Sequence, residues 1–186
     1  MPWALGMWTD RPFFQSTVNL VFGFIGDKVP QDFIADREKL RGGKFDIAAM
    51  TAALPQMRDQ FRANVDWIEA QLGDNRPFLF GEFSLADVSA YMNVWYARQS
   101  LATMDEMMKS WPRIAAWEQR IRAIGHGTRT EMSSGDALEI AAKARPESPV
   151  FGDPADPNGR KPGDIVSVMP DRSEERRVGK ECRSRW

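Results

Sequence analysis

Phe78-Leu79-Phe80-Gly81-Glu82-Phe83-Ser84-Leu85-Ala86-Asp87-Val88 carries the sharpest local signal in the chain. Ser84 and Asp87 stand three apart, with an apolar-periodic run beginning directly after them. That is a capping box: the serine hydroxyl accepts from the Asp87 amide, and the Asp87 carboxylate reaches back to the Ser84 amide. Phe83 and Val88 occupy the two staple positions on either side of it. Such a cap stabilises a helix start by roughly 1 kcal/mol. The helix it opens is predicted to run to about Arg98, with Val88, Tyr91, Met92 and Trp95 on its inner face.

Helical signals continue on both sides. Upstream, Leu54, Met57, Phe61, Val65, Ile68 and Leu72 form one apolar stripe, and Gly73-Asp74-Asn75 stops it. That stretch starts near Asp46, with Pro55 marking a kink or a first turn. A shorter helix opens at Pro30 and stops at Gly42-Gly43. Between Trp3 and about Ile25, the positions Leu5, Trp8, Val18, Val21, Phe22 and Ile25 recur at threes and fours. Pro12 predicts a kink or restart within that segment. Downstream, Trp111-Pro112 opens a helix striped by Ile114, Trp117, Ile121 and Ile124, and Gly125 closes it. A short helix is expected from about Ser134 to Ala144.

These signals predict an all-α bundle of five or six helices over residues 1–145. An irregular extension, 146–171, holds turn chemistry and one strand at Ile165-Val166-Ser167-Val168, which stands alone and lacks partners. The last fifteen residues, Arg172 to Trp186, crowd six Lys/Arg and three Glu with almost no apolar content. They resemble a translated short-read sequencing adapter, one frame of which encodes all fifteen. They are expected to be disordered and to pack against nothing. The gene is then expected to continue beyond Asp171, and the abrupt apolar start at Trp3 points to a cut inside a larger fold.

Composition narrows the function. The 186 residues hold 25 Lys+Arg against 26 Asp+Glu. With the tail's six and three set aside, 19 basic residues face 23 acidic ones, which argues against a nucleic-acid or membrane-surface partner. The single cysteine, Cys182, lies in the tail, so no nucleophilic thiol is expected; one histidine makes no His-rich metal site. No apolar run approaches the ~20 residues needed to span a bilayer. The chain reads as cytoplasmic.

The ordered set Phe78-Leu79-Phe80-Gly81, Ser84-Leu85-Ala86-Asp87 and Trp111-Pro112 through Trp117 to Ile124-Gly125 resembles the C-terminal helical domain of glutathione S-transferases, here of a bacterial type. The resemblance covers roughly Trp3 to Gly125. It implies a helical bundle that walls a pocket for a small apolar electrophile and contributes to a homodimer. It further implies glutathione as co-substrate of the full-length protein. In the family, an N-terminal thioredoxin-like domain binds glutathione and supplies a catalytic Ser, Tyr or Cys. No βαβ pattern precedes Trp3, so that domain is read as missing. This chain then carries no catalytic residue and no transferase activity alone. The competing reading is a non-catalytic helical interaction module.

Four groups of residues are weighed as sites. Trp8, Arg11 and Phe14 stand three apart and are the substrate-binding candidates, an apolar wall with one guanidinium that faces the cleft in the family. The other reading makes Trp8 and Phe14 core, with Arg11 solvated or paired with Asp10. Ser84 and Asp87 are structural: the cap uses both side chains, and no histidine base is near in sequence. His126 follows a helix C-terminus and reads as a polar turn residue. Asp32, Asp36 and Glu38 interleave with Arg37, Lys39 and Arg41 as a solvated face rather than a metal site.

Overall fold

A computed structural model describes residues 2–145, 147, 152–161, 163–167 and 183–185. Nine α-helices are described: α1 (Pro2–Trp8), α2 (Phe14–Ile25), α3 (Gln31–Arg41), α4 (Ile47–Ala52), α5 (Leu54–Gln71), α6 (Leu85–Ser100), α7 (Met104–Met108), α8 (Pro112–Ile124) and α9 (Ser134–Lys143). The predicted long helices break into more pieces than expected. Pro55 sits in the first turn of α5 and separates it from α4. The five-residue α7, which no capping signal announced, follows the end of α6.

Between α1 and α2 the chain forms a π-helical segment, Thr9–Phe13, around Pro12. Proline lacks an N–H and its ring clashes with the carbonyl one turn back, so one extra residue in the turn relieves it. A side chain of α6 steadies this wide turn: Asn93 Nδ2 donates to the Thr9 carbonyl at 3.0 Å.

One continuous core joins α1, α2, α5, α6, α7 and α8. Phe13, Leu20 and Val21 meet Phe61, Val65, Ile68 and Leu72 of α5, and Ile114 and Trp117 of α8. Of the α5 stripe, Phe61, Val65, Ile68 and Leu72 are buried as the period predicts, while Leu54 and Met57 are half-buried. The inner face of α6 is not the predicted one. Val88, Met92 and Trp95 are 41%, 49% and 38% exposed, while Ala86, Asp87, Ala90, Asn93, Val94 and Ala97 are buried. Small side chains let α6 pass close to α1 and α2, and so the bulky residues turn outward. The staple positions, Phe83 and Val88, also lie at the surface; Phe83 meets Phe78 edge-on at 5.4 Å.

In the extension, Ile165–Ser167 (β1) pairs antiparallel with Arg183–Arg185 (β2), with Val166 opposite Ser184. This corrects two expectations. The strand at 165 is not isolated, and part of the tail read as disordered is a strand. The physical reason is that a strand's open N–H and C=O groups accept any extended neighbour, since the ladder is made of backbone. Residues 168–182 and 186 lie outside the described ones.

Candidate functional site

An apolar groove of about 420 Å³ opens between α1, α5 and the strap before α6. Leu5 and Trp8 form one wall, Trp67 and Ile68 the other, and Leu79 and Phe80 the floor. Its volume lies within the range of small-molecule sites. None of its lining side chains is ionisable. The groove can therefore hold and orient an apolar molecule, but it offers no group to accept or donate a proton.

The Trp8 wall and the floor are fixed by polar contacts behind them. The Trp8 indole donates to Asn64 Oδ1 at 2.8 Å, and Asn64 Nδ2 in turn donates to the Gln60 carbonyl at 2.7 Å and to Ser16 Oγ at 3.4 Å. Trp8 stacks on buried Phe13 at 5.4 Å and faces Trp67 at 5.9 Å. The floor is tied to α5 by Gln71 Nε2, which donates to the Leu79 carbonyl at 2.8 Å. Arg76 Nη1 reaches the same carbonyl at 3.2 Å. Arg76 also clasps Asp74 through Nε and Nη2, and this hydrogen-bonded pair, with the Arg76 amide, brings the Asp74 carboxyl down to about 2.

Asp87 is the hub behind the floor. The capping box is formed. The Ser84 amide and the Ser84 hydroxyl each donate to Asp87 Oδ2 at 3.0 Å. Its other oxygen, Oδ1, accepts from the Leu79 amide and from the Trp117 indole, both at 2.9 Å. One fully buried carboxylate thus caps α6, holds a groove residue and anchors α8. Sequence reasoning found the cap and missed the other two roles, whose donors stand 8 and 30 residues away.

The structure separates the three substrate-binding candidates. Trp8 lines the groove; Arg11 and Phe14 do not. In an α-helix positions three apart share a face. The π-segment lies between Trp8 and Phe14, and its longer turn rotates the later residues away. Trp67, Leu79 and Phe80 were not singled out. The exposure of Trp67, at 61% on a helix whose other large apolar residues are buried or half-buried, marks it only once the fold is known.

The remaining candidates fall into place as follows. His126 is exposed after the end of α8. Glu38 Oε1 accepts from the Phe45 amide, and Asp32 Oδ1 from the Phe33 amide. Among the described residues no group of three or more His, Cys, Asp or Glu is placed to hold a metal ion. Nor, among them, is any helix long and apolar enough to cross a membrane.

Residues 51–120, which contain α5, the groove floor, the capping box and the start of α8, match the family model for the glutathione S-transferase C-terminal domain. Over those residues the chain is similar to the glutathione S-transferase C-terminal domain, and its all-α fold agrees with that likeness. A crystal structure of a GST-like protein from Pseudomonas syringae is similar at 28% sequence identity with a TM-score of 0.64. That match covers 89% of this chain and 51% of the Pseudomonas chain, so this chain spans about half the length of its relative. No curated protein matches the chain significantly.

Proposed function

We propose that the chain is the substrate-pocket half of a glutathione S-transferase-like protein that conjugates glutathione to small apolar electrophiles. The observation that supports this reading is the apolar groove, walled by Trp8 and Trp67, within a helical domain similar to that family's. The helical half holds the electrophile; the thioredoxin-like half that the resemblance implies holds glutathione and lowers its thiol pKa. The reading carries with it a cytoplasmic bacterial protein, assembled as a homodimer.

Two measurements test it. A chromogenic electrophile should quench tryptophan fluorescence of the chain, and Trp67→Ala should weaken that quenching. Joined to a thioredoxin-like half, the chain should conjugate glutathione, with Trp8→Ala raising KM for the electrophile. Turnover by the chain alone would overturn this division of labour. A joined protein that binds the electrophile yet conjugates nothing would favour the interaction-module reading, which the exposed face of α6 also supports.

A further inference from the structure

The polar groups around the groove can be followed one by one. The Trp8 N–H is spent on Asn64 Oδ1. The Leu79 carbonyl takes two donors, Gln71 Nε2 at 2.8 Å and Arg76 Nη1 at 3.2 Å, which fills its two lone pairs. Gln71, the last residue of α5, is the one lining side chain that carries an acceptor. Its NH2 group is held by the floor, so Oε1 is fixed on the same planar amide, and among the described residues no donor reaches it. The groove therefore presents one oriented acceptor in an otherwise apolar, uncharged lining. That acceptor stands one helical turn from Trp67, on the same face of α5. Trp67 is mostly exposed and offers an open ring face. Trp8 lies 5.9 Å from it, tilted by 46°. A third ring between them would need about 7 Å, twice the carbon–carbon contact distance of about 3.5 Å. An aromatic guest thus lies on Trp67 and not between the two indoles.

We infer that the groove selects neutral aromatic molecules carrying a hydroxyl or N–H donor, with the ring on Trp67 and the donor on Gln71 Oε1. This rests on the groove being the electrophile's site, as proposed above, and narrows that electrophile to one bearing such a donor. The spacing agrees: side chains four apart on a helix stand about 5–6 Å apart, about the reach from the centre of a phenol ring through its hydroxyl to a hydrogen-bond acceptor. The Trp67 N–H lies in the plane of its own ring, so it does not compete for a guest stacked on the face. A ring without a donor covers the amide oxygen and leaves it unpartnered, which costs affinity. A phenolate has no proton to give and meets no cation in the lining. Selection therefore comes from a single hydrogen bond made in a water-poor place, where leaving it unmade is expensive.

The test titrates the full chain with p-cresol and, separately, with p-xylene, which differ only in a hydroxyl against a methyl. The p-cresol hydroxyl, like tyrosine's, titrates near about 10 and is neutral at neutral pH. Binding is read from the Trp67 indole N–H and the Gln71 side-chain amide in 1H–15N NMR spectra. An apolar groove without an acceptor would hold the more water-loving p-cresol about tenfold more weakly than p-xylene. The expected result is that p-cresol binds at least as tightly as p-xylene and shifts the Gln71 amide. Gln71→Met keeps the length and loses the acceptor; it should weaken p-cresol about tenfold and leave p-xylene within about twofold. Arg76 still holds the Leu79 carbonyl in that variant, and unchanged p-xylene binding reports an intact groove. If Gln71→Met weakens both ligands alike, or spares p-cresol, the inference falls while the groove reading stands. If neither ligand perturbs Trp67 in the unaltered chain, both fall together.

Discussion

Replacing Asp87 by alanine should cost far more than an ordinary helix cap. Removal of a capping side chain by itself destabilises by about 1 kcal/mol. Here the same substitution also strips the acceptor from the Leu79 amide and from the Trp117 indole, both of which donate to Oδ1 at 2.9 Å in the interior. Each buried donor left without a partner adds about 1–3 kcal/mol. Allowing for relaxation and shared water, the total should reach about 3–5 kcal/mol. That is a large part of the 5–15 kcal/mol available to a typical domain. Asp87→Asn keeps one acceptor oxygen for Leu79 and Trp117 while facing an amide group toward the Ser84 N–H; it should lose less, about 1–3 kcal/mol. Trp117→Phe removes one orphan, so combined with Asp87→Ala it should cost less than the two singles added, by about 1–2 kcal/mol. Urea unfolding followed by far-UV circular dichroism gives all four values. A loss near 1 kcal/mol for Asp87→Ala, with no coupling to Trp117, would show that the residue is only a cap and that the three-way junction does not form.

Three further perturbations follow from particular contacts. Glu69 of α5 accepts from the amides of Arg113 at 3.1 Å and Ile114 at 2.9 Å, capping α8 from another helix; Glu69→Ala should lower stability by about 1–2 kcal/mol, read from the melting curve, and no change would mean that water serves those amides equally well. Gly23→Ala would add a Cβ 2.8 Å from the Met50 carbonyl oxygen and from Leu54 Cδ2; despite the better helix propensity, it should destabilise by about 1–3 kcal/mol, and a stabilised variant would show that α2 and α4 are not packed this closely. Asp74, held to about 2 by its hydrogen bonds from Arg76, has a folded value below its ordinary 3.8. Its contribution is therefore full above 3.8 and is lost as pH falls toward about 2. A carboxyl NMR titration should show a midpoint near 2, moving back to the ordinary range in Arg76→Ala, and a normal midpoint in the unaltered chain would remove the pair.

The difference between what sequence and structure revealed is sharpest on α6. Its start at Ser84 and Asp87 was legible because a capping box is made by residues within one turn of each other. Its buried face was not. Periodicity reads the large apolar residues as core, yet the helix turns alanines and Asp87 inward and leaves Val88, Met92 and Trp95 outside. Hydrophobic burial is non-directional, so a helix with two apolar faces is oriented by how closely its neighbours can approach. The candidate site divides in the same way. Trp8 was found from its aromatic spacing, but Pro12 and the π-segment removed Phe14 and Arg11 from its wall, while Trp67, Leu79 and Phe80 came from segments about 60 to 70 residues away.

By itself, then, the sequence determined where several helices begin or end, the start of α6 at Ser84 and both ends of α8 among them, that their assembly is all-α over residues 2–145, and which family they resemble. Those properties depend on proline, glycine, caps and apolar period, all contained in short stretches of chain. Tertiary structure alone decided that Asp87 joins α6, α8 and the groove floor, that Glu69 caps a helix 44 residues on, and that α6 presents an exposed apolar face. These are contacts between faces distant in sequence. Which faces meet is chosen by close packing and by the need of each buried donor for an acceptor, and no local pattern encodes that choice.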